Sequence, residues 1–141
     1  MLVLELAALV HDIGRAIDPH DTEPHAFVGA RYLDSLGLHE VASLVAHHSG
    51  AKLEAVERDM IHLDLWPEVD RELLALLDYA DRTVNGQGES VSLSQRRADI
   101  VARRGAASPN VRRFDALLPE LTATERTFHG GGRHHHRLRT A

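Results

Sequence analysis

The chain has 141 residues, of which 43% are hydrophobic, 26% are charged and 4% are aromatic. This length and composition predict one globular domain and exclude a fibrous or low-complexity chain. The net charge of −5 argues against binding to a phosphate backbone as the main task, and the few aromatic residues argue against a stacking platform for single-stranded nucleic acid.

Cysteine is absent from the sequence, so disulfides and thiolate ligands are excluded. Any metal ion must therefore be held by histidine, aspartate or glutamate. The sequence has no secretory signal pattern and no run of about 18 apolar residues that could span a bilayer. We predict a cytoplasmic protein, and the use of arginine in place of lysine, with Lys52 as the single exception, suggests a GC-rich bacterial genome.

The first predicted element is an apolar helix over residues 2–13, which Gly14 is expected to end. Its inward positions repeat at helical spacing: Leu2, Leu6, Leu9 and Ile13. The helix delivers His11 and Asp12 side by side into buried space, where unpaired polar groups are costly. A divalent metal ion would satisfy both side chains. The alternative is a core histidine beside a capping aspartate.

After a proline- and acid-rich loop, a second helix is predicted from Pro24 to Leu36. His25 and Gly29 lie four residues apart on this helix, and therefore on the same side. Because Gly29 has no side chain, a neighbouring segment or a ligand can come close beside His25. The alternative is that His25 is a solvent-facing residue of the first turn.

The third helix is predicted from His39 or Glu40 to His48. Its apolar stripe consists of Val41, Leu44 and Val45. His48 extends this stripe, whereas His47 points about 100° away, so the periodicity favours His48 as the inward residue. A core or C-cap role for His48 is the alternative.

A short helix near residues 53–60 leads to the longest predicted amphipathic helix, over residues 69–84. Asp81 lies directly beside the apolar stripe of this helix, which is a poor position for an unpaired carboxylate. Asp78 lies three residues earlier and could face the same cavity edge. The spacing alone leaves the choice between these two aspartates open.

Two more helices are predicted in the remaining part of the domain. Ser92 and Gln95 form a capping box that opens a helix ending at Gly105. We expect a solvated face, with an anion site as the alternative, from the four arginines of this helix: Arg96, Arg97, Arg103 and Arg104. Ser108 and Pro109 open the next helix, and a short helical turn is predicted over residues 122–126.

These elements predict an all-α fold, a single-domain bundle of about six helices that end at a shared polar cavity. The domain is expected to span residues 1–128. Residues 129–141 are rich in glycine, histidine and arginine and are predicted to form a disordered tail. The three consecutive histidines of this tail are excluded from the site.

Four segments in order resemble the HD-domain superfamily of metal-dependent phosphohydrolases, whose pattern is His, His-Asp, further histidines and a distant Asp. The segments read Leu-Val-His-Asp-Ile-Gly (9–14), Pro-His-Ala-Phe-Val-Gly-Ala (24–30), Val-Ala-His-His-Ser-Gly-Ala (45–51) and Leu-Leu-Asp-Tyr-Ala-Asp (76–81). The resemblance is greatest to small bacterial single-domain members and covers roughly the first 120 residues.

The resemblance implies a role for each site residue. His11, Asp12 and Asp81 would be the primary metal ligands, which decides between Asp78 and Asp81. His25 and His48 would complete the catalytic set with Asp12, by holding a second metal ion or by steadying the leaving phosphate. Arg15 would neutralise substrate phosphate charge, although an exposed loop arginine is the alternative.

Imidazole and carboxylate ligands suit Mn, Fe, Co, Ni or Zn, and Mg remains compatible. The family's reaction class is hydrolysis of a phosphoester or phosphoanhydride by metal-activated water. The expected partner is a phosphorylated small molecule, such as a nucleotide, rather than nucleic acid or a membrane. The competing hypothesis is a non-catalytic, degenerate HD-type module that binds a nucleotide or a partner protein.

The sequence departs from the family pattern at one position. Family members carry their first metal-binding histidine on a helix before the His-Asp helix, and no residue of this sequence can occupy that position. The predicted helix 2–13 is also apolar nearly all round, with Glu5 as its clearly solvated side chain. We expect the functional protein to begin upstream, with a histidine about 25 to 40 residues before His11, roughly two helices' worth of chain. The chain as given is expected to form homo-oligomers or to aggregate.

Overall fold

A computed structural model of the protein describes residues 2–60 and 65–131, and these residues form eight α-helices and one 3₁₀ turn. The elements are α1 (Leu2–Val10), α2 (Ile13–Ile17), α3 (His25–Ser35), α4 (His39–His47), the 3₁₀ turn (His48–Gly50), α5 (Ala51–Glu57), α6 (Arg71–Arg82), α7 (Leu93–Arg104) and α8 (Pro109–Gly131). The predicted all-α fold is confirmed. The short helix predicted near residues 53–60 is α5, and α2 is an additional short helix.

The main core lies between α1, α3, α4 and α6. Its largest buried side chains include Phe27 of α3, Val45 of α4 and Leu77 of α6. Trp66 stacks on Phe27 with ring centroids 5.6 Å apart, which closes one end of the core. Burial of these apolar faces places the ends of α1, α3, α4 and α6 close to one another.

A second, smaller core joins α7 and α8 to α6. Its buried members are Leu93, Ile100, Val111, Phe114 and Leu121, and Tyr79 of α6 packs against them. The predicted capping box is confirmed, because the Ser92 side chain accepts from the Gln95 N–H and the Gln95 side chain accepts from the Ser92 N–H. This second core places α7 and α8 beside the C-terminal end of α6.

The prediction of one helix over residues 2–13 with Gly14 as its end is wrong. The chain turns at His11 and Asp12, and Gly14 lies buried inside α2. A Cβ added at Gly14 would lie 1.9 Å from the His25 carbonyl oxygen. Glycine is required at this position because α2 packs against the backbone of α3, and not because the helix stops there.

The helix α1 is only partly covered by the rest of the described chain. Ala7 is fully buried, but Leu2 and Leu9 are 77% and 82% exposed. The prediction that Leu2 and Leu9 face inward is therefore wrong, although their exposure agrees with the apolar character predicted for all sides of the helix. Self-association through this face stays a prediction. No helix in the described part of the chain is long and apolar enough to cross a membrane.

The helix α8 runs without interruption from Pro109 to Gly131, so the separate helical turn predicted over residues 122–126 is part of it. Phe114 and Leu121 are buried on either side of Pro119, and their burial favours a continuous helix despite the proline. This makes α8 longer than α6, which was predicted to be the longest helix. The predicted tail begins inside α8, and its residues 132–141 lie outside the described residues.

Candidate metal centre

The predicted site residues come together where several helices begin or end. They are His11 and Asp12 between α1 and α2, His25 at the start of α3, His48 directly after α4, and Asp81 in the last turn of α6. Arg15 of α2 lies beside Asp12. Residues separated by up to 70 positions in the sequence thus form one cluster.

His11 presents its Nε2 atom to two carboxylates. This atom lies 3.4 Å from Asp81 Oδ1 and 3.8 Å from Asp12 Oδ2. On the other side of the ring, Nδ1 lies 2.8 Å from the Ala8 carbonyl oxygen and donates to it, because a carbonyl oxygen only accepts. The hydrogen bond with Asp81 raises the pKa of His11 above its ordinary value, although partial burial opposes this shift.

His48 is fully buried, and its Nδ1 also bonds to a backbone carbonyl oxygen three residues earlier. Its Nδ1 donates to the Val45 carbonyl oxygen at 2.6 Å, while its Nε2 is buried and has no hydrogen-bond partner among the described residues. Burial, together with the neighbouring His25, lowers the pKa of His48 to about 4, so the ring is neutral at neutral pH. A neutral imidazole with its proton on Nδ1 carries a free lone pair on Nε2, which is the form that binds a metal.

Asp12 is held between a histidine and an arginine. His25 Nε2 lies 3.2 Å from Asp12 Oδ1, and Arg15 Nε donates to the same oxygen at 2.8 Å. Burial would raise the pKa of Asp12, but the hydrogen bond from His25 and the charge of Arg15 hold it well below its ordinary value. His25 is buried rather than solvent-facing, and Gly29 beside it makes room for Ile13 of α2.

Asp81 is oriented by two residues that the sequence analysis missed, Ser49 and Arg82. Its Oδ2 atom accepts from Ser49 Oγ at 3.0 Å and lies 3.7 Å from Arg82 Nε. Arg82 also donates to the carbonyl and hydroxyl oxygens of Ser49. Burial would raise the pKa of Asp81, but the hydrogen bond with His11 and the charge of Arg82 keep it far below its ordinary value.

The conformation of Ser49 explains how it reaches both α6 aspartates. It has a left-handed φ of 59°, and Gly50 follows with a φ of 73°. A non-glycine residue with positive φ is uncommon and marks a sharp change of chain direction. The Ser-Gly pair directly after two histidines was the available signal for this turn.

The structure distinguishes Asp81 from Asp78 and His48 from His47, the two pairs between which the sequence left a choice. Asp78 is buried and accepts the backbone N–H of Ser49 at 2.5 Å, behind the cluster that contains Asp81. His47 donates from Nε2 to the Pro67 carbonyl oxygen at 3.1 Å, whereas His48 packs edge-on against the His11 ring. The structure therefore places Asp81 and His48 in the cluster. Their roles there stay predictions.

The match to a model of the HD domain covers residues 1–86, which include all residues of the cluster. The chain belongs to the HD domain family. Two proteins named Ribonuclease Y are similar to part of this chain. That of Roseiflexus sp. (strain RS-1) is 40% identical over 57 residues, and that of Chloroflexus aurantiacus (strain ATCC 29366 / DSM 635 / J-10-fl) is 36% identical over 61 residues.

These similar stretches cover 39% and 42% of this chain, but only 11% and 12% of the two relatives. The chain therefore spans a small part of the length of the curated relatives that it matches. No solved structure matches the chain.

The donors of this HD domain fit a divalent metal ion. Among the described residues, His11, Asp12 and His48 each offer one ligand atom, and these atoms lie within 4.8 Å of one another. Bonds of about 2.0 to 2.2 Å place the donors around one ion at most roughly 4.4 Å apart, so only a small contraction is needed. Asp81 is not a member of this group, although its Oδ1 lies 3.4 Å from His11 Nε2. The unpaired Nε2 of His48 is the atom that a metal would satisfy.

Asp78 gives the first testable prediction, on the pH dependence of stability. Burial raises the pKa of Asp78 from 3.8 to about 7, and this outweighs the opposing Ser49 N–H and Arg82 charge. The folded state binds the Asp78 proton more tightly than the unfolded state does. The contribution of Asp78 to stability is therefore full below about pH 4 and is lost as the pH rises through about 7. Asp78→Asn keeps an oxygen acceptor for the Ser49 N–H but cannot ionise. We expect the free energy of unfolding of the wild type to fall by roughly 2 to 3 kcal/mol, relative to that of this variant, between pH 5 and pH 8.

Urea unfolding of both proteins at the two pH values measures this difference. Asp12 and Asp81 are present in both proteins, so their own contributions cancel in the comparison. A difference between the two proteins that stays constant with pH would show that Asp78 is ionised throughout this range.

Proposed function

We propose that this HD domain hydrolyses a phosphoester or phosphoanhydride bond of a phosphorylated small molecule, with a divalent metal ion held by His11, Asp12 and Asp81. The observation that carries the proposal is that Asp12 and Asp81 both lie close to His11 Nε2, and that the buried, unpaired Nε2 of His48 lies beside His11 and Asp12. A bound divalent ion supplies Lewis acidity and an activated water molecule.

The protein keeps both carboxylates ionised and fixed in place. Asp12 is held by His25 and Arg15, and Asp81 by Ser49 and Arg82. Partners of this kind orient metal ligands and tune their basicity, and removing one typically lowers metal affinity or activity by about 10- to 100-fold. The donors of this cluster are therefore organised before any ligand binds.

The two other histidines, His25 and His48, lie beside the proposed ligands. The rings of His48 and His25 pack edge-on with centroids 5.2 Å apart. We assign the lone pair of His48 Nε2 to the same ion or to a second one, and His25 to the phosphate that leaves. Arg15 is half exposed, and we assign its guanidinium to neutralising the charge of the substrate phosphate.

The ligand set limits the choice of metal. Histidine and carboxylate ligands without thiolate suit Mn, Fe, Co, Ni or Zn, and Mg is compatible through the carboxylates. Elemental analysis of purified protein identifies which of these ions is bound.

A second candidate substrate is RNA, because both relatives reported above are named Ribonuclease Y. Cleavage of RNA breaks a phosphodiester, which needs the same metal chemistry. The similarity covers little of those relatives, so it supports the reaction class better than the substrate. A catalytically inactive module that keeps the metal is the other alternative.

The second testable prediction concerns metal content. The full chain with His134, His135 and His136 replaced by alanine is expected to keep a divalent metal ion through purification, because the cluster and not the tail holds it. Asp12→Asn removes one carboxylate ligand and should lose most of this metal. Inductively coupled plasma mass spectrometry of the two proteins measures the difference.

Asp115→Asn is the matched control, because Asp115 lies on α8 and pairs with Arg97 outside the cluster. It should keep the metal of the parent protein. Equal metal content in Asp12→Asn and the parent would remove Asp12 from the ligand set. Metal-loaded protein that releases product from neither p-nitrophenyl phosphate nor a short RNA would be a non-catalytic module.

A further inference from the structure

A single cleft of about 1030 Å³ extends from the metal centre to α7 and α8. Its lining includes six arginines: Arg15, Arg82, Arg96, Arg103, Arg104 and Arg113. Five carboxylates line the same cleft, although the whole chain carries a net charge of −5. The cleft is therefore more positive than the rest of the protein, and a bound divalent ion would increase this difference.

Arg96 is the arginine of this cleft whose position differs most from the sequence prediction. It was expected on a solvated face, but its side chain is only 17% exposed. Its Nε is buried without a hydrogen-bond partner among the described residues, and its Nη1 lies 3.8 Å from Asp99 Oδ2, which is too long for a hydrogen bond. A buried guanidinium N–H without an acceptor is costly, and an anion in the cleft that reached this N–H would provide one.

Arg82 connects this region to the metal centre. It follows the proposed ligand Asp81 in the sequence and lies over the ring of Phe114 in α8, 5.8 Å from the ring centroid. Its Nε is also buried without a hydrogen-bond partner in the described part of the chain. Arg82 lies directly behind Asp81, and the cleft arginines of α7 continue this positive surface. We call the arginines of α7 that line the cleft, Arg96, Arg103 and Arg104, the arginine wall.

The remaining arginines of the cleft differ in how far they are already paired. Arg103 forms an ion pair with Asp99, and Arg113 forms one with Glu57. Arg104 lines the cleft and is exposed, and it makes no ion pair with any described residue. Arg96 and Arg104 are thus the arginines of α7 with donors available to a ligand.

The helix that carries Arg96 and Arg104 lies outside the part of the chain that the family model matches, which ends at residue 86. The resemblance to the HD domain therefore gives no role to this wall. Its function has to be argued from its own chemistry, which is that of guanidinium groups facing a cleft. Guanidinium groups pair with phosphate through charge-assisted hydrogen bonds.

We propose that Arg96 and Arg104 form an anion subsite for a second phosphate group of the ligand whose first phosphate lies at the metal centre. This proposal rests on the proposed function. It names the substrate class as a small molecule with at least two phosphate groups, such as a nucleoside diphosphate. The metal centre and the arginine wall then bind one phosphate group each.

Two features of the cleft favour a small molecule over single-stranded nucleic acid. No phenylalanine, tyrosine or tryptophan of the described residues lines it, so this part of the chain offers no stacking surface of the kind on which such strands bind. Its volume is also that of a site for one nucleotide-sized ligand, since small-molecule sites measure about 300 to 1,000 Å³.

The third testable prediction compares ADP with AMP as probes, by isothermal titration calorimetry on the full-length, metal-loaded protein. The wild type is expected to bind ADP about tenfold or more tightly than AMP, because only ADP has a second phosphate for the arginines. Arg96→Gln should weaken ADP binding by about tenfold and affect AMP much less. Arg104→Gln should also weaken ADP binding. Because Arg104 is exposed, this variant tests the subsite if Arg96→Gln folds poorly.

Arg97→Gln is the matched control, because Arg97 is the next residue, carries the same charge and pairs with Asp115 outside the cleft. It should change either affinity by less than about twofold. Equal affinities of the wild type for ADP and AMP, or equal effects of Arg96→Gln and Arg97→Gln, would overturn the subsite.

A short RNA that binds more tightly than ADP and depends on Arg96 would overturn the small-molecule class. Hydrolysis of p-nitrophenyl phosphate, measured on the same wild-type protein, tests the proposed function separately. Hydrolysis without an effect of Arg96→Gln on ADP binding would overturn the subsite but not the proposed function. ADP binding that depends on Arg96, in a protein without hydrolytic activity, would overturn the proposed function but not the subsite.

Discussion

His48→Ala is expected to reduce the rate of phosphoester hydrolysis by about a hundredfold or more, whereas His47→Ala should change it by less than about threefold. The two histidines are adjacent, but only the Nε2 of His48 is buried without a partner beside His11. His47 is bonded to the Pro67 carbonyl oxygen instead. Removing His48 takes a neutral nitrogen donor from the cluster, and removing His47 takes a single surface hydrogen bond.

Initial rates with p-nitrophenyl phosphate at saturating metal measure this pair of variants. Thermal unfolding must accompany the rates, because truncating a fully buried ring also leaves a cavity. The informative result is a loss of activity in His48→Ala that exceeds its fraction unfolded at the assay temperature. Equal losses in the two variants would place the functional histidine elsewhere.

Helical periodicity predicted the fold class and the inward histidine, since both depend on the apolar stripes of single helices. Val41, Leu44 and Val45 are buried as the stripe predicts, and His48 is buried after them. His48 nevertheless belongs to the 3₁₀ turn and not to α4. The burial of His48 therefore depends on the conformation of the turn as well as on the direction of the apolar stripe of α4.

The residues that orient Asp81 could not be predicted in this way. Ser49 contacts Asp81 across 32 residues of sequence, and Arg82 donates to Ser49 across 33 residues. Such contacts depend on how α4 and α6 pack, which no single-helix pattern contains. The burial of Arg96, whose side chain is only 17% exposed, could not be predicted for a related reason, because it depends on how α7 packs in the fold.

Gly14→Ala is expected to destabilise the domain by about 3 kcal/mol or more, a large part of the roughly 5 to 15 kcal/mol that stabilises a small domain. The added Cβ would lie 1.9 Å from the His25 carbonyl oxygen and 2.8 Å from the Gly29 nitrogen. Both are backbone atoms of α3, so no side chain can rotate away to make room. The clash can be relieved only if α2 and α3 separate.

Separation of these helices should also weaken metal binding, because Asp12 precedes α2 and its partner His25 begins α3, with 3.2 Å between their polar atoms. Urea unfolding and metal titration of Gly14→Ala measure the two effects. Gly86→Ala is the matched control, since its Cβ would meet no atom within 4 Å, and its stability should change by less than about 0.5 kcal/mol. Equal stabilities of the two variants would mean that α2 does not pack on α3 as closely as described. A destabilised Gly14→Ala that binds metal with unchanged affinity would instead show that the Asp12–His25 contact is not needed to hold the ligands.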